Sequence, residues 1–381
     1  MTKFVKHRSL VKTTALMGTQ KVFLHAIRLL IGLVFVFSGF VKAVDPLGTV
    51  YKIEDYFVAF GGVLVNLTVI AYPVAFLLIA LEFLIGLNLI FQVRLKLSVL
   101  VAFLFMLLMT PLTLYIAIYN PVTDCGCFGD ALKITNWQTF NKNVLFFILT
   151  LILIIFRKQF QKIFLPQIER VLVSLFMVII FGFMLYNLTH LPLLDFRPYQ
   201  VGVNIPEAMS IPEGAPTDVY EYNFIYEKDS SKQSFSLDQL PDSSWTFVSQ
   251  ESKLVVEGYK PPVHDFQILN SEFEDVTDMI LSYKGKTYLL IVYDVHKASE
   301  KGMRKFNEFI SKITDPSIRI YALTASSTED TQEFKQKHGL SFPFYKVDPI
   351  TLKTMIRANP GVMQLENGTI KAKWNSRELK Y

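Results

Sequence analysis

Five long apolar runs in the first half of the chain limit its possible folds more than any other feature. A helix needs ~20 mostly apolar residues to cross the hydrocarbon core of a bilayer. Runs of that kind fall at about 22–44, 64–91, 95–119, 143–156 and 171–188. The fourth is short, but Trp137 and Phe140 on its flank extend it into the interface. No solvated surface tolerates this many such runs, so the expected fold is a membrane α-helical bundle with the lipid bilayer as its first partner. Residues 1–21 are basic, yet the apolar stretch behind them is of span length and lacks a small-x-small cleavage site, so this is a retained anchor. After Leu194 the composition changes to that of a soluble domain. Four regions are therefore expected: a basic tail at 1–21, a transmembrane domain at 22–194, a tether with strands at 195–260 and a folded domain at 261–381.

Orientation follows from lysine and arginine in the short loops. The tail holds Lys3, Lys6, Arg8, Lys12 and Lys21; the second–third turn holds Arg94 and Lys96; the fourth–fifth loop holds Arg157, Lys158, Lys162 and Arg170. The two opposite loops are mixed in sign. This predicts a bacterial inner-membrane protein with a cytoplasmic N-terminus and a periplasmic C-terminal domain. The net charge of +5 has the same explanation and does not imply nucleic acid.

Redox chemistry is expected in one segment, Asp124-Cys125-Gly126-Cys127-Phe128-Gly129-Asp130, which holds the only two cysteines. A C-x-C pair closes a disulfide only through a tight ring, and glycine permits the backbone angles that ring needs. Strained or exposed disulfides tend to be the labile, catalytic ones, and an oxidising outer compartment lets them form. The alternative is two cysteines packed as small hydrophobes. Two thiolates with no histidine nearby fall short of a zinc site, so no metal is expected.

Glu82 is the one acid deep in a run, a functional position by default. It could relay protons or pair with a cation; Arg28 is the obvious candidate for such an intramembrane ion pair, although near a helix end it could simply snorkel. Asn88, Gln92 and Thr110 suit interhelical hydrogen bonds, and Trp137 and Tyr119 suit an interfacial belt. Gly32, Ser38 and Gly39 in the first run would let another helix approach closely.

That run, with Arg28, these small residues, Lys42 and the exit Asp45-Pro46-Leu47-Gly48, resembles the first span of the DoxX family of four-helix membrane proteins. Cys125-Gly126-Cys127-Phe128-Gly129 after the third run looks more like the related MauE group. The resemblance covers roughly 22–156, leaving the fifth run outside. It implies a quinone- or thiol-linked redox role, with a membrane quinone as cofactor and an outer-face thiol or disulfide protein as partner, or help in maturing a disulfide-bearing partner.

Beyond Asp195 the chain reads as a proline-rich tether to about 216, then short strands at 220–226, 246–248 and 254–256. From 261 strands and helices alternate, implying a central sheet: strand 287–293, helix 301–313, strand 318–323, helix 329–338 and strand 362–365. An Asn367-Gly368 hairpin turn leads to a last strand at 369–374. The pattern, opening on Pro262-Val263-His264-Asp265-Phe266, resembles α/β thioredoxin-like domains of the TlpA and peroxiredoxin type, with Pro360 where that fold places its cis-proline. Active members carry Cys-x-x-Cys after the first core strand; here Asp294-Val295-His296-Lys297-Ala298-Ser299 stands there. The domain therefore cannot perform dithiol chemistry alone. It is either a binding or docking module or one that positions a partner beside the Cys125–Cys127 pair; His296 and Ser299 as a replacement catalytic set stand against a plain solvated helix start. The leading expectation is a thiol–disulfide or quinone-linked oxidoreductase using Cys125 and Cys127, and its rival is a non-enzymatic scaffold. A small-molecule carrier finds no repeats or broken helices to support it.

Overall fold

A computed structural model describes every residue except Met1, Thr123, Asp229, Ser230, Glu257, Asp265, Lys380 and Tyr381, and for residues 2–18 and Leu254 it describes the backbone alone. Lys3, Lys6, Arg8 and Lys12 of the basic tail, and Asp265 of the motif above, thus have no described side chains. The chain divides into two compact units, Met1–Arg197 and Pro198–Tyr381.

The first unit is helical. Its elements are α1 (Thr2–Val44), α2 (Pro46–Phe60), α3 (Ala71–Phe91), α4 (Leu95–Tyr119), α5 (Asn136–Phe156) and α6 (Pro166–Thr189). Five segments are long and apolar enough to span a bilayer: Thr19–Val44, Gly62–Phe91, Leu95–Tyr119, Asn136–Gln159 and Pro166–Thr189. This is a multi-span membrane protein. The fourth span is longer than its apolar run because Thr135 and Gln138 form a capping box that starts α5 at Asn136.

Helix α2 departs from the sequence reading, which took residues 45–63 as a mixed-charge loop. Asp45 caps it, its carboxylate accepting from Gly48 N at 3.0 Å, and Pro46 sits at the first helical position. Both are favoured helix starts. Val50 and Ile53 turn inward and pack with Ala71 and Ala75 of α3.

Helices α1 and α3 approach closely. A Cβ added at Gly86 would lie 2.5 Å from Val36 N, and one at Gly39 would lie 2.7 Å from Phe83 N. With glycine on both sides the two backbones meet directly, the close approach that small residues allow in membranes. Around this seam Ile31, Phe35, Ile85, Leu89, Val99, Met106 and Leu153 form a buried core shared by α1, α3, α4 and α5.

The second unit holds two sheets. The first is antiparallel, ordered β2-β1-β3, from β1 (Val219–Lys228), β2 (Ser231–Ser236) and β3 (Thr246–Val256). Here the sequence reading found only fragments, because strands this exposed carry little hydrophobic alternation. The second sheet is mixed, ordered β6-β5-β4-β7-β8: β4 (Lys286–Val292) pairs in parallel with β5 (Arg319–Thr324), and β5 with β6 (Phe344–Lys346). β7 (Gly361–Glu366) and β8 (Thr369–Asn375) complete it in antiparallel pairing. Asn367 and Gly368, with φ of 49° and 70°, form the turn between them. Short helices α7 (Ile205–Met209), α8 (Thr277–Leu281) and α11 (Pro349–Met355) and longer α9 (Glu300–Ile310) and α10 (Thr328–His338) surround the sheet. The stretch expected as a tether is partly built in: Gly202 N donates to Ile370 O at 2.7 Å, and Ile205 N to Gly368 O at 2.9 Å.

Candidate functional site

The loop between α4 and α5 carries both cysteines, and local chemistry sets its shape. Gly126 and Gly129 have φ of 66° and 51°, the left-handed region that glycine enters without penalty. Between them Gly126 O accepts from Gly129 N at 3.1 Å, and Asp124 Oδ1 accepts from Gly126 N at 2.8 Å. This double turn brings Cys125 Sγ and Cys127 Sγ to 3.0 Å, both as free thiols. Asn136 closes the loop's base, donating to Asn120 Oδ1 at 2.6 Å and Val122 O at 2.9 Å.

Two hydroxyls hold the cysteine backbones from outside the loop. Tyr56 of α2 donates to Cys125 O at 2.7 Å, and Ser38 Oγ of α1 lies 2.7 Å from Cys127 O. Lys52, also on α2, reaches Asp124 Oδ2 at 3.3 Å. Helix α2 is thus the outer wall of the site, a role invisible while its residues read as loop.

Beneath the loop lies an ion pair. Lys42 Nζ is 2.8 and 2.6 Å from the two Glu82 oxygens, with the side chains only 7% and 8% exposed. Lys42 also donates to Ser38 Oγ at 2.9 Å, and Ser38 Oγ is 2.8 Å from Glu82 Oε2. The single Ser38 proton therefore has two acceptors, Glu82 and the Cys127 carbonyl. Arg28 is not the partner of Glu82, contrary to the sequence reading. Its guanidinium donates to Leu89 O and, at 2.9 Å, to Ile90 O. Those carbonyls end α3, where a cation meets unpaired acceptors and the negative end of the helix dipole. Leu89 is seven residues past Glu82, about 10 Å along the helix, so Arg28 meets the wrong end of α3.

Glu82, Ser38 and Cys127 line one small cavity of about 50 Å³, with Phe35, Phe105 and Met109 among its apolar walls and Lys142 and Asn143 from α5. Lys142 Nζ stands 4.4 Å from the centre of the Phe128 ring.

Residues 20–156 match the methylamine utilisation protein MauE family. The matched segment runs from α1 through α5 and so contains the cysteine loop, the ion pair and the cavity. Residues 220–257 match a domain family of unknown function, DUF8463, which coincides with the β1–β3 sheet. No curated protein matches the chain.

Within the MauE-matching segment the two thiols are electrostatically unequal. The hydrogen bond from Cys125 pulls the Cys127 thiol below its ordinary value; burial opposes this, and the Lys142 and Lys42 charges assist. Cys125 is pushed up by that same bond, by burial and by the negative charge facing it. Cys127 is therefore the more acidic of the two thiols. Replacing Cys125 with Ala removes the donor, so the Cys127 thiol rises and less of it is ionised at neutral pH. Alkylation of Cys127 in Cys125→Ala should follow a pH–rate profile displaced to higher pH, each unit of displacement lowering the neutral-pH rate about tenfold. A profile in the same place would show that the bond does not set the thiolate.

In the second unit the Asn359–Pro360 peptide is cis. His296 Nε2 lies 3.2 Å from Asp330 Oδ1. Ser299 caps α9, accepting from Gly302 N at 3.2 Å and from Arg377 Nε at 3.0 Å. His296 and Ser299 make separate contacts, and Ser299 is occupied as a cap. Among the described residues no three His, Cys, Asp or Glu side chains gather as a metal site.

Sequence reasoning missed Ser38, Lys42, Tyr56, Lys52 and Lys142 as site residues. A signal existed for two of them: Ser38 and Lys42 are four residues apart, one turn on a single helix face.

Proposed function

We propose that this protein is a membrane thiol–disulfide oxidoreductase whose reactive group is the Cys125–Cys127 pair. The observation that carries the reading is the 3.0 Å thiol pair held above a buried Lys42–Glu82 pair. A structural role would need neither a free adjacent pair nor charges beneath it. In the oxidising direction a partner's two thiols become a disulfide as the Cys125–Cys127 disulfide becomes two thiols. The pair is then reoxidised, passing two electrons to a membrane quinone, which takes up two protons and becomes a quinol. The MauE match supports a membrane redox or accessory role.

The topology belongs to the same reading: the basic loops cytoplasmic, the cysteine loop and second unit on the periplasmic side of the inner membrane. The second unit reads as a thioredoxin-like docking module for protein partners. Its support is the β6-β5-β4-β7-β8 order, helix α9 following β4 after a single 3-10 turn, and a cis-proline immediately before β7. The absence of cysteine at 294–299 favours one rival, a non-enzymatic assembly factor that recruits partners.

Trapping thiols in living cells with an alkylating mass tag separates the two. The pair should shift toward the dithiol when respiratory quinone is removed, and Cys125→Ser/Cys127→Ser should abolish function. A pair that never changes state, with a functional double variant, would leave the assembly role standing and end the redox reading.

A further inference from the structure

At the start of α4, a whole span away from the cysteine loop, basic side chains line two cavities that the redox reading does not use. The larger, about 400 Å³, lies between the α3–α4 turn and the α5–α6 loop, with Arg94, Lys96 and Lys162 on its walls. The smaller, about 280 Å³, carries Lys21 from the start of the first span. Gln92, Phe160 and Gln161 line both, so the two adjoin. The charges come from three separate stretches of chain that folding brings to one place.

Among the described residues no carboxylate pairs with the side chain of Lys21, Arg94, Lys96 or Lys162. Glu169 is the one acid lining the larger cavity, and its Oε1 accepts from Arg94 N at 3.1 Å. That contact sets a carboxylate at the start of α4, where unpaired N–H groups and the helix dipole favour an anion. Three cations against one carboxylate leave the cavity positive. Its depth selects among anions. Both cavities sit where spans begin or end, at Thr19, Phe91, Leu95, Gln159 and Pro166, which is the level of lipid headgroups. Leu97 lines the larger cavity and Ile163 the smaller, and both are more than half exposed. They give an acyl chain an apolar path away from the charges, which a free phosphate would leave unused.

We propose that these cavities bind the phosphodiester headgroup of an anionic membrane lipid. Arg94, Lys96 and Lys162 meet the phosphate oxygens, as basic pockets between spans do for anionic headgroups. Gln92 and Gln161 offer amide N–H groups to the glycerol oxygens. The bound lipid ties the α3–α4 turn to the α5–α6 loop. Basic loops that only set the topology would need the charges and not the cavities. Lys158 and Arg170 separate the two cases: they belong to the same basic stretch but line neither cavity. The inference stands apart from the redox reading and holds whether or not the cysteines cycle.

Full-length protein in neutral detergent, titrated with phosphatidylglycerol or with phosphatidylcholine of the same chains, reports bound lipid by native mass spectrometry. Phosphatidylglycerol should bind the more tightly, and Lys96→Gln/Lys162→Gln should weaken it about 25-fold, about fivefold for each interfacial charge. Lys158→Gln/Arg170→Gln removes as much charge from the same face and should leave the affinity unchanged. Gln161→Trp keeps every charge but fills the space where the cavities meet, and should weaken binding about tenfold. Inorganic phosphate in large excess should not displace the lipid. Equal affinity for the two lipids, or equal losses in the two double variants, would show diffuse surface charge and overturn the proposal. Undiminished binding in Gln161→Trp would overturn it by removing the cavities from the account. Displacement by inorganic phosphate would overturn it in favour of a soluble anion.

Discussion

Lys42→Met alone should destabilise the helical unit by about 3–5 kcal/mol, while Lys42→Met/Glu82→Gln should recover most of the loss. Removing one member of a buried pair leaves the other as an uncompensated charge, whereas removing both leaves a neutral, packable site. Both members here are under a tenth exposed, and among the described residues Glu82 would keep Ser38 as its donor. The comparison is made by denaturant unfolding of the detergent-solubilised protein, followed by circular dichroism. Equal losses in the single and double variants would mean that the unpaired charge of Glu82 is not what the single variant costs.

Gly86→Ala is the second large effect. The added methyl would sit 2.5 Å from Val36 N and 2.8 Å from Gly32 O, both backbone atoms that cannot step aside. Overpacking of this kind costs about 1–3 kcal/mol, and it separates α1 from α3 one turn from Glu82. The same variant should therefore loosen the Lys42–Glu82 contact and change the alkylation rate of Cys127. Gly182→Ala in α6 is the matched control, since nothing lies within 4 Å of its added methyl. There helix propensity alone acts, and stability should hold or rise by about 0.5–1 kcal/mol. Similar losses in both variants would show that the α1–α3 seam is more yielding than its distances indicate.

Legibility from sequence varied with the kind of signal. The spans were readable because burial in lipid requires an unbroken apolar run, a property of each segment alone. Strands β4, β5, β7 and β8 were readable for a related reason: alternating elements and an Asn-Gly turn are local, whereas the three-residue β6 was missed. The β1–β3 sheet was read only in fragments, since its residues are largely exposed and its pairing is set by partners far along the chain. Helix α2 was missed because its charged residues Lys52, Glu54 and Asp55 suggested a loop, although Asp45-Pro46 is a strong helix start. Glu82 stood out as the one acid in a run, but its partner did not. Arg28 and Lys42 lie on the same helix, fourteen residues apart, and both were available.

By itself, then, the sequence determined that the chain crosses a membrane several times, that its two cysteines are adjacent in a glycine-rich turn, and that a mixed-sheet domain follows. Tertiary structure alone decided what surrounds that turn. Which cation meets Glu82, which hydroxyls hold Cys125 and Cys127, and which helix covers them depend on the rotation and axial offset of α1 against α3. That offset is set by Gly32, Gly39 and Gly86 fitting backbone to backbone, a complementarity between distant residues that no local pattern encodes.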